Sequence, residues 1–288
     1  MKNTLTNIAC AAIFTVATFA GGVEAREISH TLKLSEPNKP AVIDIDIMQG
    51  DISVRGYKGK DVVIKGKVTA LSNKDKETKI VYQYNGDESD EKREKPSVKG
   101  LKKISNQSIN LEIEEEDNEV SIESPSSRHN IELEIMVPFT SKLEISLNRG
   151  KEINIENVHG EIEVEAARAA ITAKGIRGPI VAESGRNDVV VEFETFNTEK
   201  PSSISVHRGS LDVTLPKKAS AEIQVKSYEG DLYSGIDSEF KSIDQVEKGK
   251  SSNKQQIVLG GVMAATMNGG KQKIKLNTYR GDVIVRGK

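Results

Sequence analysis

One interval governs this chain: Ile153, Ile162, Ile171, Ile180 and Val189 follow one another nine residues apart. Around each of them apolar and polar or small residues alternate, as in Ile162-Glu163-Val164 and Ile153-Asn154-Ile155. A nine-residue unit holds one strand of about five residues and one turn. One such unit cannot bury its own apolar face, so the units must stack. Two units make an 18-residue rung whose two strands fall on opposite sheets. Parallel stacking of rungs then buries one row of Ile, Leu or Val per sheet. The expected fold is all-β: a single elongated parallel β-solenoid, β-helix-like, with short strands and with mixed pairing allowed in the N-terminal part. Between residues 148 and 191 there is no Asn-Gly hairpin turn, which makes an antiparallel sandwich the weaker alternative.

The metre continues outside this stretch as a cassette: a turn glycine, a small or acidic residue, then alternating apolar residues. It recurs as Gly50-Asp51-Ile52, Gly209-Ser210-Leu211, Gly230-Asp231-Leu232 and Gly281-Asp282-Val283. The turn position is Gly50, Gly160, Gly178, Gly209, Gly230 and Gly281, with Asn187 and Ala169 taking its place before Val189 and Ile171. Gly and Asn share access to left-handed backbone, so positive φ is expected there, Ala169 excepted. At Gly150 the spacing is one residue longer, which predicts a bulge.

Composition fits a thin core. The chain has no Trp and 4% aromatic residues, and branched Ile and Val pack well between closely spaced pleated sheets. Lys2, the apolar stretch Ile8 to Gly22 and Val23-Glu24-Ala25 read as a signal peptide over residues 1–25, cleaved after Ala25. That stretch of 15 residues falls short of the roughly 20 that span a bilayer. Cys10 is the only cysteine, so residues 26–288 would form one domain without disulfides. It divides into an N-terminal β region, 26–147, with a charged insertion at 72–103, and regular coils, 148–288, with an insertion at 235–256. Both insertions read as long polar surface loops.

The net charge of −2 conceals a segregation: residues 104–165 carry 4 basic and 15 acidic side chains, whereas 26–103 carry 17 and 13. Solvated strand faces account for this. A sharper reading is an acidic middle that attracts cations or the protein's own basic end.

The order of the cassettes resembles the bacterial putative-adhesin family, secreted or envelope-associated β-solenoids of unknown function. The similarity lies in Gly50-Asp51-Ile52-Ser53-Val54, the strand Ile131 to Val137 closed by Pro138, the run Gly160 to Val191, Leu211 to Leu215 closed by Pro216, and Gly269-Gly270 followed by Ile274 to Asp282. The resemblance implies an envelope role. It brings no catalytic residues to carry over.

Chemistry-bearing motifs are sparse. His30, His129, His159 and His207 show no metal-ligand spacing and read as exposed turn residues. Glu161, Glu163 and Glu165 can reach the carboxylate separation of a glycosidase by strand geometry alone. Aromatic platforms for a sugar are limited to Tyr228, Tyr279, Tyr82 and Tyr84. Arg280-Gly281-Asp282 spells a receptor-recognition tripeptide, but it falls on the cassette turn. Lys271, Lys273 and Lys275 lack the aromatic interleaving of a nucleic-acid binder. No catalytic, cofactor-binding or metal residue is assigned. The expectation is a non-catalytic, exported, periplasmic envelope protein, an adhesin-like binding or structural scaffold. Its partner would be an envelope polymer or protein, with no nucleic acid, no transmembrane segment in the mature chain and self-association allowed. The alternatives are a polysaccharide-active enzyme using paired carboxylates and a charge-driven self-assembling protein.

Overall fold

The computed structural model describes residues 25–71, 110–196, 200–251 and 254–288. Residues 1–24 of the expected signal peptide, with Cys10, and the 72–103 insertion with Tyr82 and Tyr84, lie outside the described residues. Within them the chain is all-β, without a helix, and most strand pairs are parallel.

The strands form two ladders. Across the first, the order is β1 (Ala25–Lys33), β3 (Asp61–Ala70), β6 (His129–Pro138), β2 (Val42–Tyr57), β8 (Glu152–Glu156), β10 (Ala170–Ile176), β12 (Val189–Phe193), β14 (Leu211–Leu215), β20 (Val283–Gly287) and β16 (Leu232–Gly235). Across the second it is β4 (Glu112–Glu116), β5 (Glu119–Ser124), β2 again, β7 (Lys142–Arg149), β9 (Ile162–Ala166), β11 (Ile180–Ser184), β13 (Ser202–Arg208), β19 (Gln272–Arg280), β15 (Ala221–Glu229), β18 (Lys254–Met267) and β17 (Lys241–Ser251). β2 joins the ladders, giving residues 42–49 to the second and 50–57 to the first.

The nine-residue metre maps onto this alternation. Ile153, Ile171 and Val189 are paired in register in the first ladder, and Ile162 and Ile180 in the second. All five are fully buried and belong to one continuous apolar cluster. Its bulk comes from Ile, Val, Leu and Ala. Phe193 is the largest fully buried side chain, with Phe196 edge-on at 4.9 Å.

Two rungs stand out of chain order. The β2 rung lies between the β5–β6 and β7–β8 rungs. The β19–β20 rung lies between β13–β14 and β15–β16. At one end of the stack β3, β1 and β4 cover the last strands antiparallel. At the other, β18 covers β15 only over Ala221 to Val225.

The turn glycines divide between two corners with different requirements. Where the chain passes from the second ladder to the first, φ is positive at Asn187 (83°), Gly209 (144°) and Gly281 (134°). At the opposite corner Gly160 and Gly178 lack positive φ, which corrects the uniform expectation. Glycine is needed there for close approach: a Cβ on Gly178 would stand 1.9 Å from the Gly160 carbonyl oxygen. The aspartate of the cassette has its own task. Asp51, Asp188 and Asp282 each accept, through Oδ1, a backbone N–H from the adjacent rung: those of Lys151 (2.6 Å), Ser210 (2.8 Å) and Asp231 (2.9 Å).

Two further expectations are corrected. The extra residue at Gly150 sits in the turn, and the strand irregularity falls between Lys174 and Ile176, at Gly175 with φ of 68°. The 235–256 stretch is not a loop: β17 pairs antiparallel with β18 from Lys241↔Ala264 to Ser251↔Lys254. The apolar half of this hairpin, from Ile257 onward, lies beyond the polar window, so the window alone reads as loop.

Candidate binding surface

Because inward positions fill the core, chemistry is confined to outward positions and corners. Three surfaces result.

Much of the acidic block falls on one face of the second ladder, while Glu132, Glu134, Glu152 and Glu156 lie on the first. Glu114, Ser121, Asp44, Glu144 and Glu163 follow one another across five strands, and Glu112, Glu123, Asp46, Ser146, Glu165 and Glu183 form the next row. Further along, the same rows reach Lys275 and Lys226, so the charge changes sign along the ladder. Lys142 bonds Glu144 at 2.5 Å and Lys200 bonds Glu161 at 2.6 Å. Asp44 lies amid this charge. Burial first, and then Glu144, Asp46, Glu123 and Glu119, push its carboxyl above the ordinary value. A raised carboxyl pKa means the ionised form is disfavoured in the folded state, so the penalty is present at neutral pH and is lost as pH falls through the raised pKa. Asp44→Asn is therefore expected to be more stable than wild type at pH 7 by about 0.5 kcal/mol, a magnitude limited by solvent screening. The difference should shrink as pH is lowered towards 4 or when salt is added. Urea titrations at both pH values check this.

The outward face of the first ladder is concave near its covered end. A groove of about 650 Å³ is lined by Glu27, Lys65, Lys67, Glu132, Glu134 and Asp51, among others. Lys67 faces Glu132 and Glu27, and Lys65 faces Glu134 and Ser29. The Asp51 carboxylate is already engaged by the turn above it. Opposite charges facing one another across strands stabilise the antiparallel pairing itself.

The third surface is aromatic. His207 and Tyr279 stack at 5.0 Å and 16°, and Tyr228 follows Tyr279 at 5.5 Å. The register dictates this: Val206 pairs Thr278, which pairs Ser227, so the next residue on each strand joins one column at the corner. Tyr228 is 59% and Tyr279 41% exposed. Lys226 Nζ lies 5.2 Å from the Tyr228 ring centre, and the Arg280 guanidinium lies 5.7 Å from that of Tyr279.

The remaining singled-out residues divide. Glu163 and Glu165 join the acidic rows. His129 is buried at the start of β6 rather than exposed. His159 stacks on Phe139 at 4.7 Å, and burial, then Arg177, hold its imidazole below the ordinary value. His30 lies on β1, away from the other three in the ladder order. Arg280-Gly281-Asp282 is tied into the stack: Arg280 Nε donates to Glu229 at 2.9 Å and Asp282 holds the Asp231 N–H. Among the described residues no group of three or more His, Cys, Asp or Glu is placed to hold a metal ion, and no helix is long and apolar enough to cross a membrane. His207 was missed as a partner of the tyrosines, although it too stands two residues before a turn glycine.

No protein-family model matches the chain, and no curated protein matches it. Two solved structures align with it. One is a putative cell adhesion protein from Clostridium sporogenes, 14% identical, with a TM-score of 0.43, covering 91% of this chain and 100% of that one. The other is a putative adhesin from Bacteroides fragilis, 11% identical, with a TM-score of 0.26, covering 91% of this chain and 97% of that one.

Proposed function

We propose that this protein is an exported, non-catalytic binding scaffold of the bacterial envelope, adhesin-like in use and built as a single β-solenoid. The exposed column His207–Tyr279–Tyr228 carries the reading. Aromatic rings left about half in water cost solvation that the fold could avoid with smaller corner residues. Two of the three are tyrosines, whose rings offer apolar contact and whose hydroxyls offer hydrogen bonds to a partner. The in-register rungs supply a rigid support for a ligand that is itself extended.

The test is co-sedimentation of the full chain, processed in its host, with purified sacculi and with outer-membrane vesicles. Wild type is expected to bind one of these fractions. Tyr228→Ala/Tyr279→Ala is expected to bind at least tenfold more weakly, with an unchanged unfolding midpoint. Absence of binding to both fractions would sink the scaffold reading.

The groove favours a second reading, a carboxylate-using polysaccharide enzyme. Release of reducing ends from envelope polysaccharide, abolished by Glu134→Gln, would establish it over the first.

A further inference from the structure

The corner that carries the rings carries a second column. Leu147, Ala166, Ser184, Val206 and Thr278 are paired in sequence across five neighbouring strands. Two residues beyond each stands an arginine: Arg149, Arg168, Arg186, Arg208 and Arg280. Backbone bonds through the corner hold the column. The N–H of Gly150 donates to the Arg168 carbonyl, that of Asn187 to Arg208 and that of Gly209 to Arg280. Neighbouring strands lie about 4.8 Å apart, so five arginines extend over roughly 19 Å.

The fold does not need them. Corner geometry is supplied by the turn residue that follows each arginine, and the corner bonds are made by backbone. All five side chains are exposed. Arg280 is paired with Glu229. Among the described residues, no ion pair or hydrogen bond engages the guanidinium of Arg149, Arg168, Arg186 or Arg208; the Ser184 hydroxyl donates only to the Arg186 backbone carbonyl, at 2.7 Å. Like charges facing one another across strands are destabilising, and here the repulsion is repeated from rung to rung. A planar guanidinium fork at a fixed repeat matches carboxylate, sulfate or phosphate groups carried at intervals on a chain. The ring column is an independent second feature of the same corner. It lies one residue earlier on the strands and runs along the same axis.

We propose that this corner binds a linear anionic glycan lying along the ladder axis. Its acidic groups would sit on Arg149, Arg168, Arg186 and Arg208, and its sugar rings and hydroxyls at the rim of His207, Tyr279 and Tyr228. The proposal rests on the binding-scaffold reading and names that site's ligand. A single-stranded nucleic acid fits less well. Its bases need free ring faces, whereas these rings occupy one another's faces at 5.0 and 5.5 Å. Glu165 and Glu183, outward on the strands leading to Arg168 and Arg186, also oppose a densely charged backbone. A glycan carries ring hydroxyls that can donate hydrogen bonds to these carboxylates.

The experiment is affinity electrophoresis and calorimetry of the full chain with polygalacturonate and dextran sulfate, with neutral dextran and a single-stranded oligonucleotide alongside. At least one anionic glycan is expected to bind, neutral dextran not to, and the affinity to fall steeply with salt. Arg168→Gln/Arg186→Gln/Arg208→Gln should weaken that binding at least tenfold. The matching triple lysine variant should keep the salt dependence and lose part of the affinity. Arg55→Gln, whose residue is paired with Glu156 in the first ladder, should bind as wild type does. Unfolding midpoints confirm that the variants fold. Equal binding by wild type and the glutamine triple overturns the proposal, as does tighter binding of the oligonucleotide than of either glycan. Failure of both anionic glycans with envelope binding intact also overturns it and leaves the scaffold reading standing. Loss of all envelope binding removes both.

Discussion

Deletion of residues 272–288 is expected to release everything from Ala221 to Met267 from the stack. β19 is the second-ladder partner of both β13 and β15, and β20 is the first-ladder partner of both β14 and β16. Without them the β15–β16 rung keeps no partner among the earlier rungs. The deletion also removes Ile274, Leu276, Val283 and Val285, all fully buried. At about 1.5–3 kcal/mol each, their loss is comparable with the whole stability of an ordinary domain. Hydrogen exchange should show protection lost across 221–267, and the unfolding midpoint should fall by about 10 °C or more. Retained protection over Ala221–Val225 would mean that β15 pairs directly with β13 when the gap is opened, and would refute the prediction.

Gly178→Ala should be among the most damaging single changes that add only a methyl group. The new Cβ would meet the Gly160 carbonyl oxygen at 1.9 Å and its carbon at 2.6 Å. Both are backbone atoms fixed by the ladders on either side, so relief requires the rungs to separate. A cost of about 3 kcal/mol or more is expected, in the range of severe overpacking. Gly235→Ala is the matched control. Its nearest neighbour would be the Val285 carbonyl oxygen at 3.7 Å, and its effect should stay within about 0.5 kcal/mol. Urea midpoints of the two variants decide the matter; equal values would show that the corner yields easily.

Strand positions were legible because the inward residues are spaced so evenly. Ile153, Ile171 and Val189 differ by 18 and pair as an 18-residue rung requires. The order of rungs at the two ends was not legible. Leu211 pairs Val283, and Val283 pairs Leu232 on its other side. All three follow similar turn cassettes, so periodicity ranks neither pairing above a direct contact of Leu211 with Leu232. The surface was legible in part for a related reason. Tyr228 and Tyr279 stand out as rings, and Arg149, Arg208 and Arg280 stand out before glycine. Arg168 and Arg186 precede Ala169 and Asn187, so a reading keyed to glycine passes over them. Keyed to the turn position instead, the whole column can be read from the chain.

The displaced β2 and β19–β20 rungs also bear on the order in which the molecule can assemble. A stack built in chain order could grow one rung at a time behind the emerging polypeptide. Here residues 42–57 have no parallel neighbour until residues 119–156 are available, and the gap between β14 and β16 waits for 272–287. These are contacts of high sequence separation, the kind that slows folding. An incomplete chain therefore presents two facing open edges inside the stack, where strand pairing with the wrong partner is easiest. The protein's vulnerable moment is its vectorial synthesis rather than its finished state.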